Sequence, residues 1–227
     1  MKRTIASICL MALSLTAFSC AANSAKPASS TGAAPAAAPA AAKSGKGTIA
    51  KPGDKAPSVP KTGIPEGKKL PVPDNWETYY DAQKGYEFAV PEGTQTNQQT
   101  VDNVDIFVAM LPAPAKVQVM VVAFKNKNVN KADLLETAKR VLASLGEKDI
   151  KVGSQTEISD DYDVVEISSV DEKGVTTRAK LLLATDVTDN YLVFAGSPDA
   201  DYKANETIID EVWGSFSMYS GGSSGQS

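Results

Sequence analysis

Lys116-Val117-Gln118-Val119-Met120-Val121-Val122-Ala123-Phe124 decides the fold. Read with a period of two, Val117, Val119, Val121 and Ala123 share one face, while Met120, Val122 and Phe124 share the other. A strand that is apolar on both faces must be covered on both. It therefore lies inside a sheet with further layers packed above and below it. Pro112-Ala113-Pro114 turns the chain into this strand from a preceding candidate, Val101–Leu111.

Downstream, Lys131–Leu145 predicts a helix. Asn130 suits its N-cap, with Asp133 three residues on, and Gly146 suits the residue just past its end. Leu134, Ala138, Val141 and Leu145 form its apolar stripe, broadened by Leu135 and Leu142. Four strands follow, Val152–Ser159, Val164–Val170, Thr176–Thr185 and Tyr191–Gly196, with Lys173-Gly174 and Thr188-Asp189-Asn190 as turns. Turns this short imply an antiparallel meander. A second helix is expected from Ser197-Pro198, with Ser197 as N-cap. Asp199 and Asp201 fall in its first turn, and Ile208, Val212 and Phe216 form its stripe beside Ile209 and Trp213. Upstream, Glu77–Asp81 and Tyr86–Val90 read as a hairpin. The fold class expected is α+β: an antiparallel sheet of about six to eight strands with two main helices packed on it.

Before the hairpin the composition changes. Nine of the 13 prolines lie between Pro27 and Pro73, and Ala33–Ala42 is low-complexity. Residues 20–75 are expected to be a disordered tether, too poor in large apolar side chains to offset ordering entropy. Ile64-Pro65 and Leu70-Pro71-Val72-Pro73 are expected to lie extended along the domain. The folded domain is placed at 76–219 and a flexible tail at 220–227.

Charge follows the same division. Residues 21–75 carry eight lysines against Asp54, Glu66 and Asp74, whereas residues 76–227 carry 13 basic and 24 acidic residues, a net −11. An acidic domain repels phosphate backbones, so a nucleic-acid partner is not expected. The chain has no histidine and only two cysteines, Cys9 and Cys20. Zinc sites built from Cys and His are excluded, as are catalytic groups that need histidine.

Met1–Ser19 has the parts of an export signal. Lys2 and Arg3 are followed by an apolar run from Ile5 to Phe18, too short to span a bilayer as a stable helix, and then by the small Ser19 before Cys20. Thr16-Ala17-Phe18-Ser19-Cys20 resembles the end of a bacterial lipoprotein signal, with Ala17 where that family most often has leucine. The resemblance implies cleavage before Cys20 and acylation of Cys20, and hence a membrane-lipid partner. Ala21 after the cysteine implies the outer membrane. Simple secretion, with cleavage near Ala21, is the alternative.

Tyr86-Glu87-Phe88-Ala89-Val90-Pro91-Glu92-Gly93 and Ile208-Ile209-Asp210-Glu211-Val212-Trp213-Gly214-Ser215-Phe216 resemble segments of PsbP-like domains, which include DcrB-type bacterial lipoproteins. The order of elements over most of 76–219 is similar as well. That resemblance implies a largely non-enzymatic domain that binds partner proteins, with no catalytic residues and no cofactor. An envelope protein is the partner expected.

Other clusters carry less. Asp160-Asp161-Tyr162-Asp163 offers oxygens for a cation but lacks the spacing and glycine of a calcium loop, and reads as a solvated turn. A small-ligand or metal-binding module that uses this turn and the sheet face stays open as the alternative function. Asp102 with Asp105, or Glu157 with Glu166, could in principle form a carboxylate couple for acid/base chemistry, but nothing in the sequence raises either above chance. Trp76, Tyr79 and Tyr80 read as core packing at the domain entrance. Asn205-Glu206-Thr207 matches a glycosylation pattern but falls in the last helix.

Overall fold

The computed structural model describes residues 47–50, 61–101, 104–124, 129–187 and 189–219. The expected signal 1–19, Cys20, most of the tether and the tail 220–227 lie outside the described residues. Among the described residues there are twelve strands and two α-helices. They are β1 Thr48–Ala50, β2 Lys61–Gly63, β3 Glu77–Asp81, β4 Tyr86–Val90, β5 Gln95–Val101, β6 Val104–Met110 and β7 Gln118–Phe124, then α1 Lys131–Ser144. After it come β8 Lys148–Ser159, β9 Tyr162–Val170, β10 Thr176–Thr185, β11 Asn190–Pro198, α2 Asp199–Gly214 and β12 Ser217–Tyr219.

Seven strands form one antiparallel sheet in the order β5-β6-β7-β11-β10-β9-β8, so β7 is internal as its two-faced pattern requires. Met120, Val122 and Phe124 face α1, where they join Leu134, Ala138, Leu142, Val165, Leu181 and Phe194. Val117, Val119, Val121 and Ala123 face the other way, into a larger core with Leu182, Tyr191, Ile209 and Trp213. That second core is closed by α2 and by a smaller sheet in the order β1-β3-β4-β12-β2, which supplies Tyr79, Tyr86, Phe88 and Val90. The aromatic rings of Tyr79, Tyr86, Phe88, Phe107, Tyr191 and Phe216 touch in a continuous chain.

The α1 caps form as the sequence predicts. Asn130 accepts a hydrogen bond from the Asp133 amide through its side chain, and Gly146 takes the left-handed φ of 92° that ends the helix. Leu134, Ala138 and Leu142 are its buried stripe, with Val141 and Leu145 at the margin.

Four expectations are corrected. The strand expected at Val101–Leu111 is β6, Val104–Met110, and Val101 instead ends the unexpected β5, with which β6 forms a hairpin. β5 (Gln-Thr-Asn-Gln-Gln-Thr-Val) is a polar edge strand without the apolar alternation that marks a strand. Ser197 is not an N-cap. β11 continues through it, and Pro198 occupies the cap position with no side-chain bond. Phe216 lies beyond the helix end, where it leads into the unexpected strand β12. Finally, β1 and β2 fall inside the stretch read as tether. β1 pairs with β3 and β2 with β12, so the N-terminal segment adds a strand to each edge of the smaller sheet. Three-residue strands are too short to show a period, and their pairing is set by backbone rather than side chains. Ile64, just after β2, is buried in the main core.

Candidate binding site

α2 packs over β10, β11 and β4, and on that face Glu166 of β9 and most of β8 stay exposed while Tyr162 and Val164 of β9 are buried. Arg178 of β10 stands directly opposite Ser168 of β9, and Ser168 stands opposite Lys151 of β8. Directly paired residues project to the same face, so the three form a transverse row across strands about 4.8 Å apart. A second row begins with Lys180 opposite Glu166. Glu166 leans over Gly153 of β8, where an added Cβ would come within 3.2 Å of its Cβ and 3.4 Å of Oε2. A side chain at 153 would therefore push the carboxylate aside. Lys151, Gly153, Glu166, Ser168, Arg178 and Tyr202 line a shallow recess of about 160 Å³.

The charges here are held but incompletely paired. The Arg178 guanidinium lies 4.4 Å over the ring of Tyr202, with its Nε 3.6 Å from the Asp199 carboxylate. Lys180 is taken by Asp210, which also accepts from the Trp213 indole at 2.8 Å. Among the described residues, the terminal nitrogens of Arg178, the Ser168 hydroxyl, the Lys151 ammonium and the Glu166 carboxylate make no hydrogen bond or ion pair. Elsewhere in the described structure most lysines have a carboxylate partner: Lys61 has Glu87, Lys84 has Asp105, Lys116 has Asp201 and Lys131 has Asp163. Burial, with Glu206 adding to it, pushes the Tyr202 phenol up to about 12. Its ring is thus neutral and electron-rich beneath Arg178 at any physiological pH.

Alongside runs β8. It is twelve residues long, an edge strand of the larger sheet and exposed along most of its length, with three register irregularities against β9. On the opposite face, a recess of about 110 Å³ between the C-terminal end of α1 and the sheet is lined by Met120, Leu142, Leu145, Ile167 and Phe194. It is an apolar packing gap, with Glu147 at its rim held by the Ser169 hydroxyl at 2.6 Å.

The clusters singled out in the sequence do not assemble. Tyr162 turns inward and donates its hydroxyl to the Thr62 carbonyl at 2.5 Å, while Asp163 accepts from Lys131 Nζ and Gln155 Nε2, both at 2.7 Å. The Asp160–Asp163 carboxylates are therefore divided, and no group of three acidic, histidine or cysteine side chains suited to a metal occurs among the described residues. Glu157 stands opposite Asp163 and Glu166 opposite Lys180, so the two glutamates are not a couple. Asp105 is paired with Lys84, and Asp102 lies outside the described residues. Tyr79 is core, Trp76 packs at its margin, and Tyr80 stands opposite Glu87 on the other side of the strand. The Asn205 amide is buried and bonded to the Asp201 carbonyl at 3.1 Å, so it is not offered as a glycosylation acceptor.

Arg178, Ser168 and Lys151 were not singled out by sequence. Their one signal is the polar pair Arg178 and Lys180 at alternate positions of an otherwise apolar strand. The row itself depends on the registers of two separate ladders.

No family model matches the chain, and no curated protein matches it by sequence. Solved structures do. The cyanobacterial PsbP (CyanoP) of Synechocystis sp. PCC 6803 is 18% identical and superposes with a TM-score of 0.50 over 63% of this chain and 92% of its own. The Ran-binding protein Mog1p of Saccharomyces cerevisiae is 8% identical, with a TM-score of 0.44 over 63% of this chain and 94% of its own. LpqN, involved in cell envelope biogenesis of Mycobacterium tuberculosis, is 16% identical, with a TM-score of 0.34 over 73% of this chain and 88% of its own. The fold of the described domain is PsbP-like α+β.

Proposed function

We infer that the chain is an envelope lipoprotein whose domain is a non-catalytic binding module. Cys20 carries acyl chains, the Lys- and Pro-rich segment after it acts as a spacer, and the domain meets an envelope protein on the periplasmic side of the outer membrane. Two or three acyl chains suffice for stable anchoring where one does not. As a coil, the roughly 27 residues between Cys20 and β1 would have a root-mean-square span of ~30 Å, enough to hold the domain clear of the bilayer. The reading rests on the Met1–Cys20 signal for the anchor.

For binding, one observation carries it: the open row Arg178-Ser168-Lys151 beside the exposed edge of β8. Polar groups with hydrogen-bonding capacity left over are where an outside partner gains hydrogen bonds without displacing internal ones. A small-ligand role is favoured by the same recess. The Asp160–Asp163 turn offers no such support, because the Asp163 carboxylate is already taken by Lys131 and Gln155.

Two measurements test the reading. Cys20→Ser is expected to leave the membrane fraction unprocessed or soluble; a variant still processed and membrane-bound removes the lipid anchor. A photo-crosslinker at Thr156 on β8 is expected to trap an envelope protein in cells, whereas one at Arg140 on α1 is not. Equal trapping at both positions, or none at Thr156, removes the binding face.

A further inference from the structure

We propose that the Arg178-Ser168-Lys151 recess binds a carboxylate that carries a nitrogen donor on its α-carbon, as in a free amino acid or the C-terminus of a peptide. The proposal rests on the binding-module reading above and names what that module takes.

Three observations select this chemistry. The first is size. About 160 Å³ is below the ~300–1,000 Å³ of clefts that enclose cofactor- or drug-sized molecules. The recess takes a small molecule or the end of a chain.

The second is geometry. Arg178 is held by the Tyr202 ring and, through Nε, by Asp199, and its terminal nitrogens make no hydrogen bond among the described residues. Ser168 lies between Arg178 and Lys151 in register, so one oxyanion placed over its hydroxyl is reached by a guanidinium from one side and an ammonium from the other. A planar carboxylate matches the guanidinium fork.

The third is the sign of the neighbouring charge. Glu166, one row along on the same face, has no partner among the described residues. A dianionic phosphate would be repelled by it, as would a second carboxylate. A ligand with a donor beside its carboxylate instead offers Glu166 an N–H. The recess thus holds unmet charge of both signs side by side, and the ligand class that answers both is an α-nitrogen carboxylate. The acidic domain as a whole disfavours a multiply charged anion such as phosphate more than a single carboxylate with a donor beside it.

The test is isothermal titration of the full chain in detergent with glycine, N-acetylglycine, acetate, glycinamide and inorganic phosphate. Saturable heat is expected with glycine or N-acetylglycine. Affinity should fall at least about tenfold for acetate and for the Arg178→Lys and Lys151→Ala variants, the loss of one charge-assisted contact. Glycinamide and phosphate should give none. Glycine preferred over N-acetylglycine identifies a free amino acid as the source, and the reverse identifies a peptide C-terminus. Because both variants change exposed side chains, unaltered circular dichroism is expected alongside the loss. The proposal is overturned if no probe gives heat, if phosphate or glycinamide competes with glycine, or if both variants bind as the parent does. Crosslinking at Thr156 that persists with no carboxylate binding would sink this proposal and leave the binding module standing.

Discussion

The guanidinium of Arg178 is stacked 4.4 Å above the ring of Tyr202, and this contact joins β10 to α2 at the edge of the recess. The ring, not the hydroxyl, makes it. Tyr202→Phe is therefore expected to change neither stability nor glycine binding. Tyr202→Leu frees Arg178, and a lost cation–π contact of about 0.5–1 kcal/mol should weaken binding roughly two- to fivefold. The same change leaves a void in a buried position of the larger core, at a cost of about 1–3 kcal/mol. Titration of both variants, with urea midpoints measured in parallel, separates the two effects.

Gly47 sits against the Tyr79 ring at the start of β1. A Cβ there would come 1.9 Å from the Tyr79 hydroxyl oxygen and 2.3 Å from the ring carbon that bears it. Tyr79 is packed among Tyr86, Phe88 and Phe107 and does not yield. In Gly47→Ala the displaced element is β1, so the cost cannot exceed what docking β1 contributes, about 1–3 kcal/mol. Hydrogen exchange is expected to speed up at Thr48–Ala50 and their partners Thr78–Tyr80, and to stay unchanged at β7 and β11. Faster exchange across the larger sheet would show that β1 is integral to the whole domain.

What the sequence made legible and what it did not follow one physical division. The period-two pattern of β7 and the 3.6-residue stripe of α1 reflect faces that bury against something, and both placed their residues in the correct core. β10 was placed at its observed ends for the same reason. β5, β1, β2 and β12 bury little or are very short, so their existence rests on backbone pairing with distant strands and leaves little mark on side-chain type. The recess is further removed. Ser168 is unremarkable until β9 is laid between β8 and β10. The resemblance carried by Tyr86–Gly93 reached the fold and stopped there, since none of its residues lies in the recess.

Lys131 and Asp163 tie the start of α1 to β9 across 2.7 Å, with both side chains mostly buried and Gln155 completing the carboxylate's shell. Asp163→Ala strands a lysine in a poorly hydrated place and is expected to cost about 2–4 kcal/mol. Replacing both partners, Asp163→Leu with Lys131→Met, is expected to cost clearly less than the two single changes summed, because no charge is then left alone. A double-mutant cycle by urea unfolding measures the difference, and simple additivity would mean that the pair is not coupled.

Alkaline pH should unfold the domain cooperatively. Burial holds the phenols of Tyr79, Tyr86, Tyr162 and Tyr191 well above their ordinary value near 10. Nearby carboxylates add to this, among them Asp81 beside Tyr79 and Asp189 beside Tyr191. A group whose folded pKa is raised binds its proton more tightly in the native state. Its contribution is complete below the unfolded pKa and is lost as pH rises toward the folded one. At pH ~11 the unfolded chain ionises these phenols and the native chain does not, a loss of about 1.4 kcal/mol for each. Four such groups together remove a large part of the ~5–15 kcal/mol that holds an ordinary domain folded. Tyrosinate absorbance and loss of far-ultraviolet circular dichroism are therefore expected to rise together in one steep step between about pH 10.5 and 12. If the absorbance of all seven tyrosines, and not only of the three outside this set, develops while the dichroism stays native, these hydroxyls reach water without unfolding, and the aromatic core is looser than its packing indicates.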